Sequence, residues 1–371
     1  MEFQKEFYEA KKWVLKRRPN AKKGLKINDI LLESCTITPS KDLKPDEAVV
    51  KVEMLSVDAF VRTTLDTGAY HTSVELGSSL PALGYGVVVA VPDPKSGPFK
   101  IGQKLSGMMG AADYAVVRKE STGPFLRLPK VPERAGLHLL GLTTGLTAFV
   151  GVNLVLKAPR KGEIVVVSAA AGAVGSIAAQ LARNRGAKVI GIAGGSKKVQ
   201  YLKEELNLFG AVDYKDKSKP VSEQLDELLD GKKVDFFYDN VGGDILDIVL
   251  ERIAEKGRVV ICGAISQYDS GNVNTPRAVQ GPSNYLKLAE RGATMAGFNV
   301  MQKLVWLPYI LLRMWIMILL GQLCINEHIV EGGIDSFGQS VIDLLGGANI
   351  GKMMIPIAQK DVSSKTEAPS S

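Results

Sequence analysis

The sequence predicts an α/β protein: a doubly wound parallel sheet with helices on both faces, joined to a smaller β-rich domain. Three observations predict it. Between about Ala135 and Phe298, short β-branched runs alternate with segments of helical periodicity. From Lys12 to about Arg134, short β-runs are separated by clusters such as Pro92-Asp-Pro94 and Ser96-Gly-Pro98. One stretch, Glu163-Ile-Val-Val-Val-Ser-Ala-Ala-Ala-Gly-Ala-Val-Gly175, turns a strand tightly into a helix.

In chain order, Trp13–Leu15, Ala48–Leu55, Gly86–Val91 and Tyr114–Val117 read as the strands of the first domain. Ile164–Val167 is a β-branched run, expected to be a buried strand. From Ala173 to Arg185, Val174, Ile177, Ala178 and Leu181 recur at helical spacing. The connection Ala170-x-Gly172-x-x-Gly175 is a dinucleotide fingerprint with alanine in the first glycine position. Gly172 would let backbone approach a pyrophosphate, Gly175 would let helix and strand pack closely, and the helix N-terminus would offer N–H groups. The same turn could serve as a plain strand–helix connection. A second strand at Ala187–Ile192, at βαβ distance, favours the binding reading. Val189–Ile192, Ala211–Asp213, Val234–Tyr238, Arg258–Ile261 and Thr294–Phe298 bring the set to six, a complete dinucleotide domain. The last fifty residues read as mixed strand and loop, able to pair back with the first domain.

Of the 371 residues, 46% are hydrophobic and 23% charged, so a sizeable core can form. The net charge of +7 gathers near the N-terminus, at Lys11, Lys12, Lys16, Arg17, Arg18, Lys22, Lys23 and Lys26. No aromatic-interleaved basic motif or zinc-finger spacing accompanies it, so nucleic acid is not expected as a partner. A solvated face, an anionic cofactor or an anionic membrane surface would each explain it. Cys35, Cys262 and Cys324 match no zinc or disulfide spacing, as in a reducing, cytoplasmic setting. The N-terminal Met-Glu-Phe-Gln-Lys-Glu lacks an apolar core, so no signal peptide is expected. The tail, 361–371, is expected to be disordered.

Leu304–Ile325 contains one charge, Arg313, and reads as an apolar helix starting near Pro308. It could be buried, meet a partner subunit as in a homodimer, touch a membrane as a peripheral contact, or span one. A span would place Arg313 near the bilayer centre and separate Gly347–Lys352 from the cofactor they are expected to touch. The expectation is therefore a subunit or membrane-surface contact, helped by the basic N-terminal region.

The second strand of the βαβ unit ends Gly191-Ile-Ala-Gly-Gly-Ser-Lys-Lys198, with lysines where NAD sites place a carboxylate. A lysine attracts a 2′-phosphate, so the expected cofactor is NADP(H). The first domain offers Cys35 and His71 but no Gly-His-Glu stretch, so no metal site is expected. Without a Lewis acid, the fitting hydride acceptor is already polarised, as a conjugated enone or a quinone is.

These residues resemble the zinc-independent medium-chain dehydrogenase/reductases, in the branch of the prostaglandin reductases, plant alkenal double-bond reductases and bacterial curcumin reductase. The resemblance runs from Lys12 to about Val300 and again from Gly321 to Ile357. It rests on Trp13-Val-Leu-Lys-Arg-Arg-Pro19, Leu55-Ser-Val-Asp-Ala-Phe-Val-Arg62, Gly145-Leu-Thr-Ala-Phe149 and Ala169-Ala-Ala-Gly-Ala-Val-Gly175. Ala193-Gly-Gly-Ser-Lys-Lys198, Val212-Asp-Tyr-Lys215, Tyr238-Asp-Asn-Val-Gly-Gly243 and Cys262-Gly-Ala-Ile-Ser-Gln-Tyr268 continue it. Asn284-Tyr-Leu286 and Gly347-Ala-Asn-Ile-Gly-Lys352 complete it. It implies a GroES-like substrate domain at 1–135, completed by 322–360, and a Rossmann NADP-binding domain at 136–321.

The resemblance also implies roles. Lys198 and Tyr214 would hold the 2′-phosphate. Ala171, Gly172, Ala173 and Val174, with Gly175, would form the pyrophosphate turn. Asn240, Cys262 and Asn349 would line the nicotinamide side. Tyr268 would point its hydroxyl at the substrate carbonyl, with Phe60 and Tyr285 near the same pocket. Read from the residues alone, Tyr268 follows the fifth strand at the carboxyl edge of the sheet, where ligands bind and a phenol could donate to a developing enolate. Three departures stand out. The family often has Pro-Tyr-Met-Arg where this chain has Ala59-Phe-Val-Arg62, and Trp-x-x-Tyr where it has Gly110-Ala-Ala-Asp-Tyr114. The third is the apolar 304–325. The expected activity is NADPH-dependent reduction of the double bond of α,β-unsaturated ketones or aldehydes. The rivals are an NADPH:quinone oxidoreductase and a non-catalytic, membrane-associated NADPH-binding protein.

Overall fold

The computed structural model describes residues 3–20, 23–67, 72–268, 279–324 and 326–357. The expected disordered tail and His71 lie outside these residues, as does the last position of the 304–325 segment.

The β-runs of the N-terminal third become β1 (Tyr8–Leu15), β2 (Ile30–Ile37), β3 (Glu47–Ser56), β4 (Leu83–Ala90), β5 (Lys104–Met108), β6 (Tyr114–Arg118) and β7 (Thr122–Pro124). The alternating half follows as β8 (Ile164–Ser168), β9 (Lys188–Ala193), β10 (Gly210–Asp213), β11 (Val234–Asp239), β12 (Ile253–Ile261) and β13 (Thr294–Gly297). Near the C-terminus come β14 (Glu327–Ile329) and β15 (Lys352–Pro356). β2, β5 and β7 were not anticipated from sequence. Their runs carry Glu33, Ser34 and Thr36, or Gly and Lys, so the strand signal is diluted.

Six strands pair in parallel in the order β10-β9-β8-β11-β12-β13. This is the doubly wound arrangement. The chain moves outward from β8 in one direction, returns to β8, and then moves outward in the other. Within β8 the run Ile164–Val167 is apolar at every position because both faces are covered. Val165 and Val167 pack with Ile177 and Leu181 of the Ala173–Asn184 helix. Ile164 and Val166 pack on the other side with Leu225, Leu229, Leu246 and Val249. Each such side chain contributes about 1.5–3 kcal/mol when fully buried, so a charge at Val166 would unseat the sheet.

The second sheet runs β14-β15-β3-β4-β5-β7, with β6 also on β3. β15 is antiparallel to β3, Ile355 lying opposite Leu55, so the C-terminal segment does return to the β-rich part. It is not all strand and loop, however. Phe337–Leu345 is a helix whose Phe337 and Val341, four apart, are fully buried against that sheet.

The apolar segment enters through 3-10 turns at Val300–Trp306, with Asn299 Oδ1 accepting from Met301 N–H at 2.9 Å. The α-helix proper is Leu307–Leu319 with proline in its first turn, and Gly321, at φ +67, lies just beyond it. Only Ile310 and Met314 of this helix are buried, against the core beneath β8. Simple burial is therefore excluded for its outer face.

Candidate active site

The site is built along the carboxyl edge of the parallel sheet. β8 stops at Ser168, and Ala169 turns the chain with φ +48, a left-handed conformation that costs an alanine more than a glycine. The helix starts at Ala173, and its first i→i−4 bond is Ser176 N–H to Gly172 O at 3.0 Å. The N–H groups before Ser176 have no partner from within the helix. Gly175 is required by contact: a Cβ there would sit 2.3 Å from Ala169 O.

The C-terminal segment closes over this turn. Gly351 N–H donates to Ala171 O at 2.8 Å, and Gly172 and Gly351 form a parallel bridge. Gly351 has φ +73. Asn349 is buried, its Nδ2 donating to Gly351 O at 2.6 Å.

Beyond β9, Lys198 Nζ donates to Gly347 O at 2.8 Å. Burial, and then the charge of Lys215, push the Lys198 amine below the usual lysine range. Tyr214, after β10, lies against Gly194, whose added Cβ would meet its ring at 2.6 Å. Asp213 is turned into the loop, its Oδ1 accepting from Gly195 N–H and Lys215 N–H at 2.7 and 2.8 Å. A half-buried cation and a phenol hydroxyl thus meet beside Gly347, with the Asp213 carboxylate turned to backbone N–H groups, which leaves a cradle for an anion.

On the other side of β8, Asp239 is fully buried at the end of β11. Burial raises its carboxyl above the usual range, opposed by hydrogen bonds from Val241 N–H and Ser168 Oγ. Ser168 Oγ in turn accepts from Asn240 N–H at 2.8 Å, and Asn240 Nδ2 donates to Ser168 O at 2.7 Å. Cys262 follows β12. Burial pushes its thiol up to about 11, which keeps it protonated and a poor nucleophile. Tyr268 Oη accepts from Ala264 N–H at 3.3 Å, which folds the phenol against its own loop.

A cleft of about 1950 Å³ between the two sheets is lined by Ala171, Gly172, Ala173, Val174, Gly175, Lys198, Tyr214, Asn240, Cys262, Asn349, Tyr268 and Phe60. Tyr285 is the correction. It is 60% exposed and does not line the cleft. Its neighbours explain why: Asn284 Nδ2 donates to Asp247 O, and Ser283 Oγ to Asp247 Oδ2, pinning this segment to the outside of the Gly243–Leu250 helix. Tyr114 does not line the cleft either; it stacks on Tyr8, ring centroids 5.3 Å apart.

Sequence reasoning missed a buried polar group in the cleft wall. Lys352 Nζ donates to Asp58 Oδ1 at 2.5 Å, Thr143 Oγ1 donates to the same oxygen at 2.9 Å, and Ser56 Oγ donates to Asp58 Oδ2. Asp58, Thr143 and Lys352 all line the cleft. The signal was present: Lys352 opens the apolar run Met353-Met354-Ile355, and a charge there needs a partner.

Two family models match the chain: a zinc-binding dehydrogenase model over residues 173–306 and an N-terminal domain of oxidoreductase over 11–124. The NADP(+)-dependent 2-alkenal reductase of Nicotiana tabacum is 32% identical over 90% of this chain and 94% of its own. The chain belongs to the zinc-independent medium-chain dehydrogenase/reductases. Within this family, prostaglandin reductase 1 of Bos taurus is 30% identical over 93% of this chain and 98% of its own. The crystal structure of CurA from Vibrio vulnificus in complex with NADPH has 26% identity and a TM-score of 0.80, covering 94% of this chain and 100% of that one. Among the described residues, no three His, Cys, Asp or Glu side chains converge.

Proposed function

We propose that this medium-chain reductase uses NADPH to reduce the carbon–carbon double bond of α,β-unsaturated ketones or aldehydes. One observation carries the reading: the order of groups along the sheet edge. Tyr214 follows β10, Lys198 follows β9, the Gly172–Gly175 turn follows β8, Asn240 follows β11, and Cys262 and Tyr268 follow β12. Four strand spacings of ~4.8 Å make roughly 19 Å, the reach of an extended dinucleotide. The cation cradle lies at one end of that order and Tyr268 at the other.

In this reading Lys198 and Tyr214 hold the 2′-phosphate, and the turn Ala171–Gly175, with the N-terminus of its helix, takes the pyrophosphate. Asn240, Cys262 and Asn349 border the nicotinamide, and Phe60 borders the substrate. When bound, NADPH supplies the hydride that adds to the β-carbon of the substrate. Tyr268 donates its proton toward the carbonyl oxygen and stabilises the developing enolate. The α-carbon takes its proton from solvent. The protonated Cys262 takes no covalent part. The Asp58–Lys352 pair stiffens the wall opposite the sheet edge.

The substrates are small molecules, as for the alkenal and prostaglandin reductases. The domain division at 135/136 and 321/322 is supported by the pairing of β15 with β3. A cytoplasmic enzyme suits the three free cysteines. The outward face of the Leu307–Leu319 helix is a contact surface, for a second copy or for a membrane. The test follows NADPH absorbance with a panel of enones, alkenals and quinones. Turnover of conjugated enones or alkenals supports the reading. Turnover of quinones alone would make the protein a quinone oxidoreductase, and NADPH binding without any turnover would make it non-catalytic.

A further inference from the structure

We propose that the outward face of the Leu307–Leu319 helix docks on an anionic phospholipid membrane, with lipid phosphates seated in a basic cleft beside it. The proposal rests on reading 304–325 as a contact surface, and not on the reaction. Sequence and packing together create the face. Ile310 and Met314 point into the core, and Trp315 Nε1 donates to Pro129 O at 3.2 Å, which sets the rotation of the helix. Val305, Tyr309, Leu312, Ile316 and Leu319 then fall on the other side, at steps of four, three, four and three residues. They are 84%, 47%, 51%, 39% and 44% exposed. Such a stripe is one continuous apolar surface, far more than scattered exposed residues would give.

The second observation is independent of the stripe. Along its edge lies an open cleft of about 520 Å³, lined by Arg160, Lys161, Arg185 and Arg313 together with Phe149, Tyr309 and Met317. Tyr309, Arg313 and Met317 are one helical turn apart, so cleft and stripe share a border. Among the described residues, no carboxylate pairs with any of the four cations. Arg185 Nε is held by Pro159 O at 2.8 Å, leaving its charge uncompensated. From Val300 to Leu320 the chain carries Lys303 and Arg313 and no acidic residue. The N-terminal lysines and arginines expected to help are in part engaged elsewhere, Lys11 with Asp335 and Arg17 with Asp29.

The charges choose the occupant. A second copy meeting this face isologously would bring cations toward cations, with no acid in the patch to answer them. A phospholipid surface supplies phosphates to the cleft and acyl chains to the stripe, while Trp306 and Tyr309 suit the headgroup level. The helix lies on the membrane and does not cross it. Val300–Leu319 passes for a span by length and composition. Yet only Leu307–Leu319 is α-helical, which gives roughly 20 Å against a core of ~30 Å. Leu323 is buried again, and the chain returns to dock Gly351 on Ala171.

The test is flotation of the full chain with vesicles of phosphatidylcholine alone or mixed with phosphatidylserine, beside light scattering without lipid. The protein should float with the mixed vesicles and stay behind with the neutral ones. Ile316→Glu should abolish flotation while NADPH turnover, which the stripe does not touch, persists. Arg160→Gln with Lys161→Gln keeps the helix intact, and each lost charge should lower partitioning about fivefold. A dimer dissociated by Ile316→Glu, with no flotation of the wild type, would overturn the membrane in favour of a second copy. A monomer that ignores both vesicles would overturn the contact surface as well, whatever the turnover shows.

Discussion

Lys352 Nζ lies 2.5 Å from Asp58 Oδ1, and the two side chains are 1% and 7% exposed. The pair ties the first residue of β15 to the turn after β3, 294 positions away in sequence. It holds the C-terminal segment where Asn349 and Gly351 reach the nucleotide turn. Removing one partner strands a buried charge. Lys352→Met or Asp58→Asn should each destabilise the fold by about 3–5 kcal/mol, and Asp58→Leu with Lys352→Met should recover most of it. Urea unfolding of the three variants checks this. A double-variant loss equal to the sum of the two single losses would mean that the charges do not act as a pair.

Lys198 is predicted to read the 2′-phosphate. Lys198→Ala should raise the KM for NADPH about tenfold to a hundredfold and leave NADH nearly unchanged. Burial lowers its amine below the ordinary lysine range, so the charge is lost at a lower pH than for an exposed lysine. Preference for NADPH over NADH should therefore fall as pH rises through that lowered value. Lys198→Arg, always charged, should keep the preference to higher pH. Parallel weakening of both cofactors in Lys198→Ala would remove the lysine from phosphate recognition.

Tyr268→Phe should lower kcat on an enone by about tenfold to a thousandfold, because a donor to the developing oxyanion is lost. Cofactor binding should survive, since the ring still packs on its own loop. The check is single-turnover NADPH oxidation, and an unchanged rate there would exclude the hydroxyl from the chemistry. The same assay after treatment with a chelator should show full activity.

His138 sets a pH dependence of stability. It is fully buried, and its ring nitrogens find no hydrogen-bond partner among the described residues. Burial first, and then the charge of Lys352, lower its pKa from 6.5 to about 3. The folded state keeps it neutral while the unfolded chain protonates it, so stability is full above pH ~6.5 and falls as pH drops toward 3. Between pH 6.5 and 5 the loss from this residue should be about 2 kcal/mol. In His138→Leu that part of the loss should vanish, as read from urea midpoints across the range. An identical pH slope in wild type and variant would contradict it.

By itself the sequence determined the doubly wound sheet. All six of its strands lie close to where short apolar runs placed them, because strands with both faces covered are mostly apolar along their length. It also determined the glycine turn and the lysines after β9, since backbone approach and charge are properties of residues in immediate succession. Tertiary structure alone decided the rest. Tyr285 lies near the site in sequence, yet hydrogen bonds from its neighbours to Asp247 carry it outward. Asp58 and Lys352 are unremarkable until the antiparallel pairing of β15 with β3 buries them together. Arg160, Lys161, Arg185 and Arg313 are scattered in sequence and become a basic cleft only when the Leu307–Leu319 helix packs against the helical segment Leu142–Leu146. Local pattern specifies what a segment can become, because it rests on interactions within a few residues. Which charges meet depends on contacts that exist only after the segments have packed.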